Sequence, residues 1–234
     1  MNQRIIRVVS KLLLFMITGG WFIFTSCTRE HVKNSLSEQK LSGHVKTLTE
    51  TTYRTDSLGN IADSIVLEKI YYRYDPDGNK IEEIRYRSDN TSDVITYKYD
   101  AKGRKIEKRW RDEDNYLDQI ETFRYNRKGN NTEKLWSKPG GRLLRKMTIR
   151  YDQKGNKIGE VRISFADSTH ERITFRYDSL RNIIEAFSYS TDDSILHHYR
   201  YSYLDFDHEG NWQKKVQKEK QNYESVTIRT IEYY

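Results

Sequence analysis

Cys27 is the one cysteine of the 234-residue chain, and it follows Thr25-Ser26 and an apolar run from Leu12 to Phe24. A lone thiol cannot close an internal disulfide, so its position behind an export signal is its most informative property. Arg4, Arg7 and Lys11 supply a basic n-region. The apolar run is shorter than the about 20 residues that a membrane-spanning helix needs and suits a secretory h-region. Residues 1–26 are therefore expected to be a signal peptide. Other reactive groupings are weaker. Asp75-Pro76-Asp77-Gly78-Asn79 suggests a calcium loop, but Tyr86 stands where the last acidic ligand would be, and Lys102, Lys128 and Lys154 replace Asp77 in sister segments. His197 and His198 are adjacent, so on a strand they point to opposite faces and cannot share a metal. No Ser sits in a nucleophile elbow. The expectation is a protein that is not an enzyme, with no catalytic, cofactor-binding or metal-binding residue.

Small residues before a Cys that follows an h-region resemble the lipobox of bacterial lipoproteins, although Phe24 stands where Leu is usual. The resemblance implies that Cys27 is the lipid-attachment residue, acylated and first in the mature chain, and that the protein is anchored to the bacterial outer membrane. Several acyl chains on one residue hold stably where a single chain holds only marginally. Residues 27–43 then read as lipidated Cys and flexible tether, because Thr28 to Gly43 is polar and without periodicity. The remaining domain is 44–234.

What positions side chains in that domain is a repeat. Tyr74-Asp75-Pro76-Asp77-Gly78-Asn79 returns with starts at Tyr99, Tyr125, Tyr151, Tyr177 and Phe206, so the spacings are 25, 26, 26, 26 and 29. Before each turn, residues such as Ile95-Tyr97-Tyr99 alternate with Thr96-Lys98, which is the period of a strand. After it, Ile106-Lys108-Trp110 alternates with Glu107-Arg109 on a return strand. Asp bonds the backbone two residues on, and Gly supplies the left-handed residue of a three-residue hairpin with a G1 bulge. In the fifth copy Arg181 replaces that Gly, so this turn is expected to use another geometry or to pass the left-handed role to Asn182. The irregular last spacing predicts a bulge near 203–205 that returns Phe206 to the inner face.

The fold class expected is all-β: an antiparallel meander of about 14 strands built from YDxxGN hairpins. Open sheets rarely exceed ~10 strands, so the sheet should curl into a rolled sheet or half-open barrel with Ile and Tyr inward. No segment after the signal peptide shows helical periodicity.

The formal charge of +7 falls to +4 once the three basic residues before Cys27 are removed, leaving 38 basic against 34 acidic. Lys and Glu alternate rather than segregate, which fits a solvated face and gives no nucleic-acid partner. Aromatic content of 13% excludes a disordered chain. Tyr86, Trp110, Trp136 and Tyr189 lie toward the outer ends of return strands and form a candidate aromatic surface for sugar rings or a partner protein. The structural alternative is that such rings are cross-strand packing material.

Taken together, the repeats resemble the YD, or RHS, repeats of bacterial surface and toxin proteins. Val45-Lys46-x-Leu48-Thr49-Glu50-Thr51 at the start and Gly210-Asn211-Trp212 with Ile231-Glu232-Tyr233-Tyr234 at the end are similar to small YD-repeat lipoproteins of Bacteroidetes-type bacteria. The resemblance implies a noncatalytic envelope scaffold with a protein or glycan partner, joined to the membrane through its lipid. A glycan-binding surface module is the alternative. A transmembrane β-barrel is a further one, disfavoured because each alternating segment carries about three apolar positions where a spanning strand has 9–11 residues.

Overall fold

The computed structural model describes residues 34–234 except 88, 90 and 221. The expected signal peptide and Cys27 lie outside the described residues. Fourteen antiparallel strands follow one another: β1 (Val45–Thr55), β2 (Ile61–Tyr74), β3 (Lys80–Tyr86), β4 (Ser92–Tyr99), β5 (Lys105–Arg111), β6 (Leu117–Tyr125) and β7 (Asn131–Ser137). Then come β8 (Leu143–Tyr151), β9 (Lys157–Ser164), β10 (His170–Tyr177), β11 (Ile183–Tyr189), β12 (Ile195–Phe206), β13 (Trp212–Glu219) and β14 (Asn222–Tyr233).

Each pairs with its neighbours in sequence, and β1 also pairs with β14 from Val45–Tyr233 to Arg54–Ser225, so the sheet closes into a barrel. The half-open or rolled sheet expected from the sequence is corrected to a closed one. Closure follows from the two chain ends: an open meander would leave β1 and β14 as unpaired edges, and pairing them satisfies both rows of backbone groups.

The turns are as the repeat requires. Asp75 N–H donates to Asn79 O at 2.9 Å, Gly78 N–H donates to Asp75 O at 2.9 Å, and Asn79 N–H reaches Asp75 Oδ1 at 2.8 Å. The carboxylate of this Asp thus caps its own turn. Gly78 adopts φ +80°, which a side chain with Cβ resists. In the fifth copy Arg181 itself takes φ 66° and donates to Asp178 O at 3.1 Å. That corrects both expected alternatives: the turn geometry is retained and Arg bears the strain.

The bulge of each turn sets which way side chains point. Tyr74 pairs with Lys80 but Arg73 pairs with Glu82, so Ile81 is the extra residue and the parity of β3 shifts behind it. From there the registers carry one consistent face around the barrel: Ile70 opposite Arg85, Glu83 opposite Ile95, Lys108 opposite Glu121, Ile149 opposite Glu160, Ile173 opposite Ser188. Ile70, Glu83, Ile95, Lys108, Glu121, Glu160 and Ser188 are buried, which identifies this face as the lumen. The expectation of Ile and Tyr inward therefore holds for the strands that enter a turn. The strands that leave it send Lys, Glu, Arg and Trp inward, and Ile81, Ile106 and Ile158 at the bulges lie exposed.

Residues 34–43 are not a free tether. Ser35–Gln39 form α1, with Asn34 as N-cap accepting from Ser37 N–H at 3.0 Å. Leu36 and Leu41 pack into a core cluster with Leu48, Ile70, Tyr72 and Tyr74. The segment crosses the turn end of the barrel: Leu36 N–H donates to Gly78 O at 3.2 Å, and Ser42 N–H donates to Asn211 Oδ1 at 2.8 Å. Five helical residues are too few for a periodic signal, and the two leucines are what order them.

The expected bulge at 203–205 is also corrected. Leu204–Lys214 and Phe206–Trp212 stay in step, Asp205 turns to φ 53°, and Phe206 remains 48% exposed.

Candidate binding site in the barrel lumen

Beneath α1 the lumen is a network of ions. Glu83 is buried and bonded by Arg85 at 2.7 Å, Lys108 at 3.1 Å and the hydroxyl of Tyr97, with Lys80 at 3.6 Å. Burial pushes its pKa up, but the charges of Lys108, Lys80 and Arg85 outweigh burial and hold the carboxyl well below the usual range. Burial also drives Lys80 down to about 7, which Glu83 only partly offsets. A second group joins Glu160 to Lys157 and Arg162, and a third joins Glu50 to Arg229 at 2.9 Å, with the guanidinium 3.4 Å from the Trp212 ring centroid. Three carboxylates meet six basic side chains in these groups, so each buried Glu is compensated and the named residues carry an excess of basic groups.

Nearer the loop end the lumen is open to solvent. Arg162 and His197 both face inward yet are 49% and 46% exposed. A cavity of about 290 Å³ lies here, bounded by β9 to β12. Its origin is visible in the repeat. The third and fifth residues after the first of each return strand point inward: Glu83 and Arg85, Lys108 and Trp110, Lys134 and Trp136, Glu160 and Arg162, Lys215 and Gln217. In β11 the same places hold Ala186 and Ser188. Two small side chains where every sister strand has large ones leave a notch, walled by Phe175 on β10 and Tyr199 and Tyr201 on β12.

Ser188 and His197 are opposite one another on neighbouring strands, but each has its own carboxylate: Ser188 Oγ donates to Glu171 Oε1 at 2.5 Å, and His197 Nδ1 bonds Glu219 Oε1 at 2.7 Å. A hydroxyl committed to Glu171 is not activated by the imidazole. Among the described residues no group of three or more His, Cys, Asp or Glu is arranged to hold a metal.

The four aromatics of the expected surface are divided by the wall. Trp110 and Trp136 face the lumen, beneath Lys108 at 4.4 Å and Arg145 at 5.3 Å from their ring centroids. Tyr86 and Tyr189 face outward, where Lys69 and Arg172 cover them at 5.2 and 4.0 Å. The reason is parity: Trp110 and Trp136 are five residues past the first of their strand, and Tyr86 and Tyr189 are six past it. The notch residues were missed in the sequence, although small residues in one copy of a regular series are a readable signal.

The outer face carries its own series. Arg73–Glu82 at 2.9 Å, Lys98–Glu107 at 3.0 Å, Arg124–Glu133 at 3.0 Å and Arg176–Glu185 at 3.1 Å recur at one position of four hairpins, while β8–β9 places Gly159 opposite Arg150 there. Lys146 and Arg200 add second cations to Glu133 and Glu185. The outside of the barrel is therefore belted by exposed ion pairs.

The geometry has a counterpart among solved structures. A porin-like protein from Bacteroides uniformis has TM-score 0.53 and 12% identity, the match covering 82% of this chain and 99% of that one. The shared feature is the fold. A porin-like protein from Bacteroides vulgatus gives TM-score 0.47 at 15% identity, over 82% of this chain and 99% of that chain. The Photorhabdus luminescens Tc holotoxin pore gives 0.33 at 18% identity, over 77% of this chain and 10% of that chain. No protein-family model matches the chain, and none of the curated proteins matches it.

Proposed function

We propose that this chain is a noncatalytic lipoprotein of the bacterial envelope, held to the outer membrane by acylated Cys27, whose YD-repeat barrel stands in water as a binding scaffold. The observation that carries the reading is the belt of exposed ion pairs. Each cation of the row is the next-to-last residue of its entering strand, where facing lipid costs up to about 1 kcal/mol, rising to roughly 2–4 kcal/mol toward the bilayer midplane, so the row weighs against insertion, whereas the same pairs in water cost almost nothing. Return strands of seven residues such as Lys80–Tyr86 are also shorter than the 9–11 of a spanning strand. The barrel shape that this chain shares with a porin-like protein is thus compatible with a barrel that does not cross the membrane.

Fractionation of cells carrying the wild type and Cys27→Ala, the variant exported behind a signal peptide whose cleavage needs no acylation, tests this. The wild type is expected in the membrane fraction, released by detergent, and the variant in the aqueous fraction with the same strand content by circular dichroism. A Cys27→Ala protein that still sediments with membranes and needs detergent would establish a spanning barrel instead.

A further inference from the structure

We propose that the notch in β11 is a binding site for one ring of a neutral saccharide that enters from the loop end of the lumen. This deepens the scaffold reading above by naming its ligand class. The argument begins with what the notch lacks. In each of the other strands leaving a repeat turn, the paired inward positions are filled by long or bulky side chains, and in β11 Ala186 and Ser188 withdraw from the lumen. The notch is therefore a solvent-accessible recess of about 290 Å³ rather than a packing void.

The walls of the cavity select its occupant. Phe175, Tyr199 and Tyr201 offer ring surfaces, and Tyr199 is stacked on His197 at 5.5 Å and 13°, so one wall is a flat aromatic plate. The C–H face of a sugar ring packs on such a plate, and its hydroxyls need planar polar groups that give and accept several hydrogen bonds. Arg162 and Glu171 provide these side by side, 3.5 Å apart, with the Ser188 hydroxyl adjoining Glu171. A simple anion would meet Glu171 and a simple cation would meet Arg162, so a ligand carrying a net charge of either sign is repelled at one end. Trp110 and Trp136 hold the same position of β5 and β7 that Ser188 holds in β11, but they stand apart from the notch and are not among its walls.

The test is calorimetric titration of the full mature lipoprotein in detergent with glucose, galactose, N-acetylglucosamine and maltotriose, with leucine and phenylalanine as zwitterionic contrasts. At least one saccharide is expected to bind, with affinity reduced at least tenfold by Ala186→Leu, which fills the notch with apolar volume. Tyr199→Ala should weaken it similarly. Tyr86→Ala, on the outer face, should leave it unchanged. Melting temperatures of the variants distinguish lost ligand contacts from lost fold, and Ser188→Asn serves as a second notch-filling variant if Ala186→Leu unfolds. Absence of binding by all four sugars, unchanged affinity in a folded notch-filled variant, or binding of the amino acids alone would each overturn the proposal. Binding and fractionation are independent readouts: a spanning barrel that still binds sugar in the notch would refute the anchoring alone.

Discussion

The hydroxyl of Tyr125 donates to the backbone carbonyl of Lys105 at 2.7 Å, from the end of β6 to the start of the neighbouring β5. The backbone ladder between those strands ends at Glu107–Thr122, so the Lys105 carbonyl is beyond it and the Tyr hydroxyl replaces the missing rung. The same bond joins Tyr99 to Lys80, Tyr151 to Asn131, Tyr177 to Lys157 and Tyr203 to Ile183. The Tyr of the repeat is therefore the clasp between consecutive hairpins at the turn end. Tyr125→Phe keeps the ring and deletes the bond, and should destabilise by about 1 kcal/mol in urea unfolding. Tyr151→Phe should add to it, since the two clasps share no partner. An unchanged midpoint in the double variant would show that the clasps carry no stability.

That clasp also marks where the sequence stops being readable. Turn chemistry and strand period are local, and Asp75 with Gly78 or Ile95 with Tyr97 announce them directly. The role of Tyr203 is not local. The repeat points to Phe206, but Phe has no hydroxyl, and the chain uses Tyr203 with Asp205 in a left-handed conformation instead. Barrel closure depends on Val45 meeting Tyr233, a pairing between chain ends that no short window contains. The inward Lys108 and Glu121 look like solvent-facing residues until the bulge at each turn fixes their parity.

The pH dependence follows from buried tyrosines and lysines acting with opposite sign. Burial raises the pKa of Tyr99, Tyr151, Tyr177, Tyr201 and Tyr203 to about 12. In the unfolded chain a Tyr loses its proton near about 10, so above that pH the unfolded state binds fewer protons and stability falls as pH rises. Lys80, lowered by burial to about 7, does the reverse: between pH 7 and its unfolded value the unfolded chain keeps a proton that the barrel has released, and stability rises. Urea midpoints should thus increase from pH 7 to about 9 and collapse between about 10 and 12. Lys80→Met should reduce the rise, to which Lys108, Lys157 and Lys215, also lowered by burial, contribute in the same direction, and retain the collapse. A flat profile from pH 7 to 9 in the wild type would show that Lys80 stays protonated in the barrel.

Arg181 holds a left-handed φ of 66° where the five sister turns have Gly. A residue with Cβ loses roughly 1–2 kcal/mol there, and Gly regains part of it against its greater freedom in the unfolded chain. Arg181→Gly should stabilise the barrel by up to about 1 kcal/mol. Gly129→Val, at φ 75° with nothing within 4 Å of an added Cβ, should destabilise by at least about 1 kcal/mol from backbone strain alone. Equal stability of wild type and Arg181→Gly, measured by the same urea titration, would mean that the strain is relieved within the turn.

Gly78 and Gly129 share a conformation but not a neighbourhood, and the difference isolates the contribution of α1. At Gly129 an added methyl meets open space. At Gly78 it would meet the Asn34 amide and lie 2.8 Å from Leu36 Cδ1, so either the turn or the helix must move. The turn is held by Asp75 through four hydrogen bonds, whereas α1 has five residues and is held by Leu36, Leu41 and single polar contacts from Asn34, Ser35, Glu38 and Gln39. The helix is the part that yields. Gly129→Ala should therefore cost about 1 kcal/mol of strain. Gly78→Ala should cost that and a further 2 kcal/mol or about that much from unburying Leu36. It should also expose residues 34–43 to limited proteolysis while the barrel stays intact, because the closing pair β1–β14 begins at Val45, beyond the displaced segment. If both glycine variants lose equal stability and both keep residues 34–43 protected, α1 is not held by its contact with the first turn.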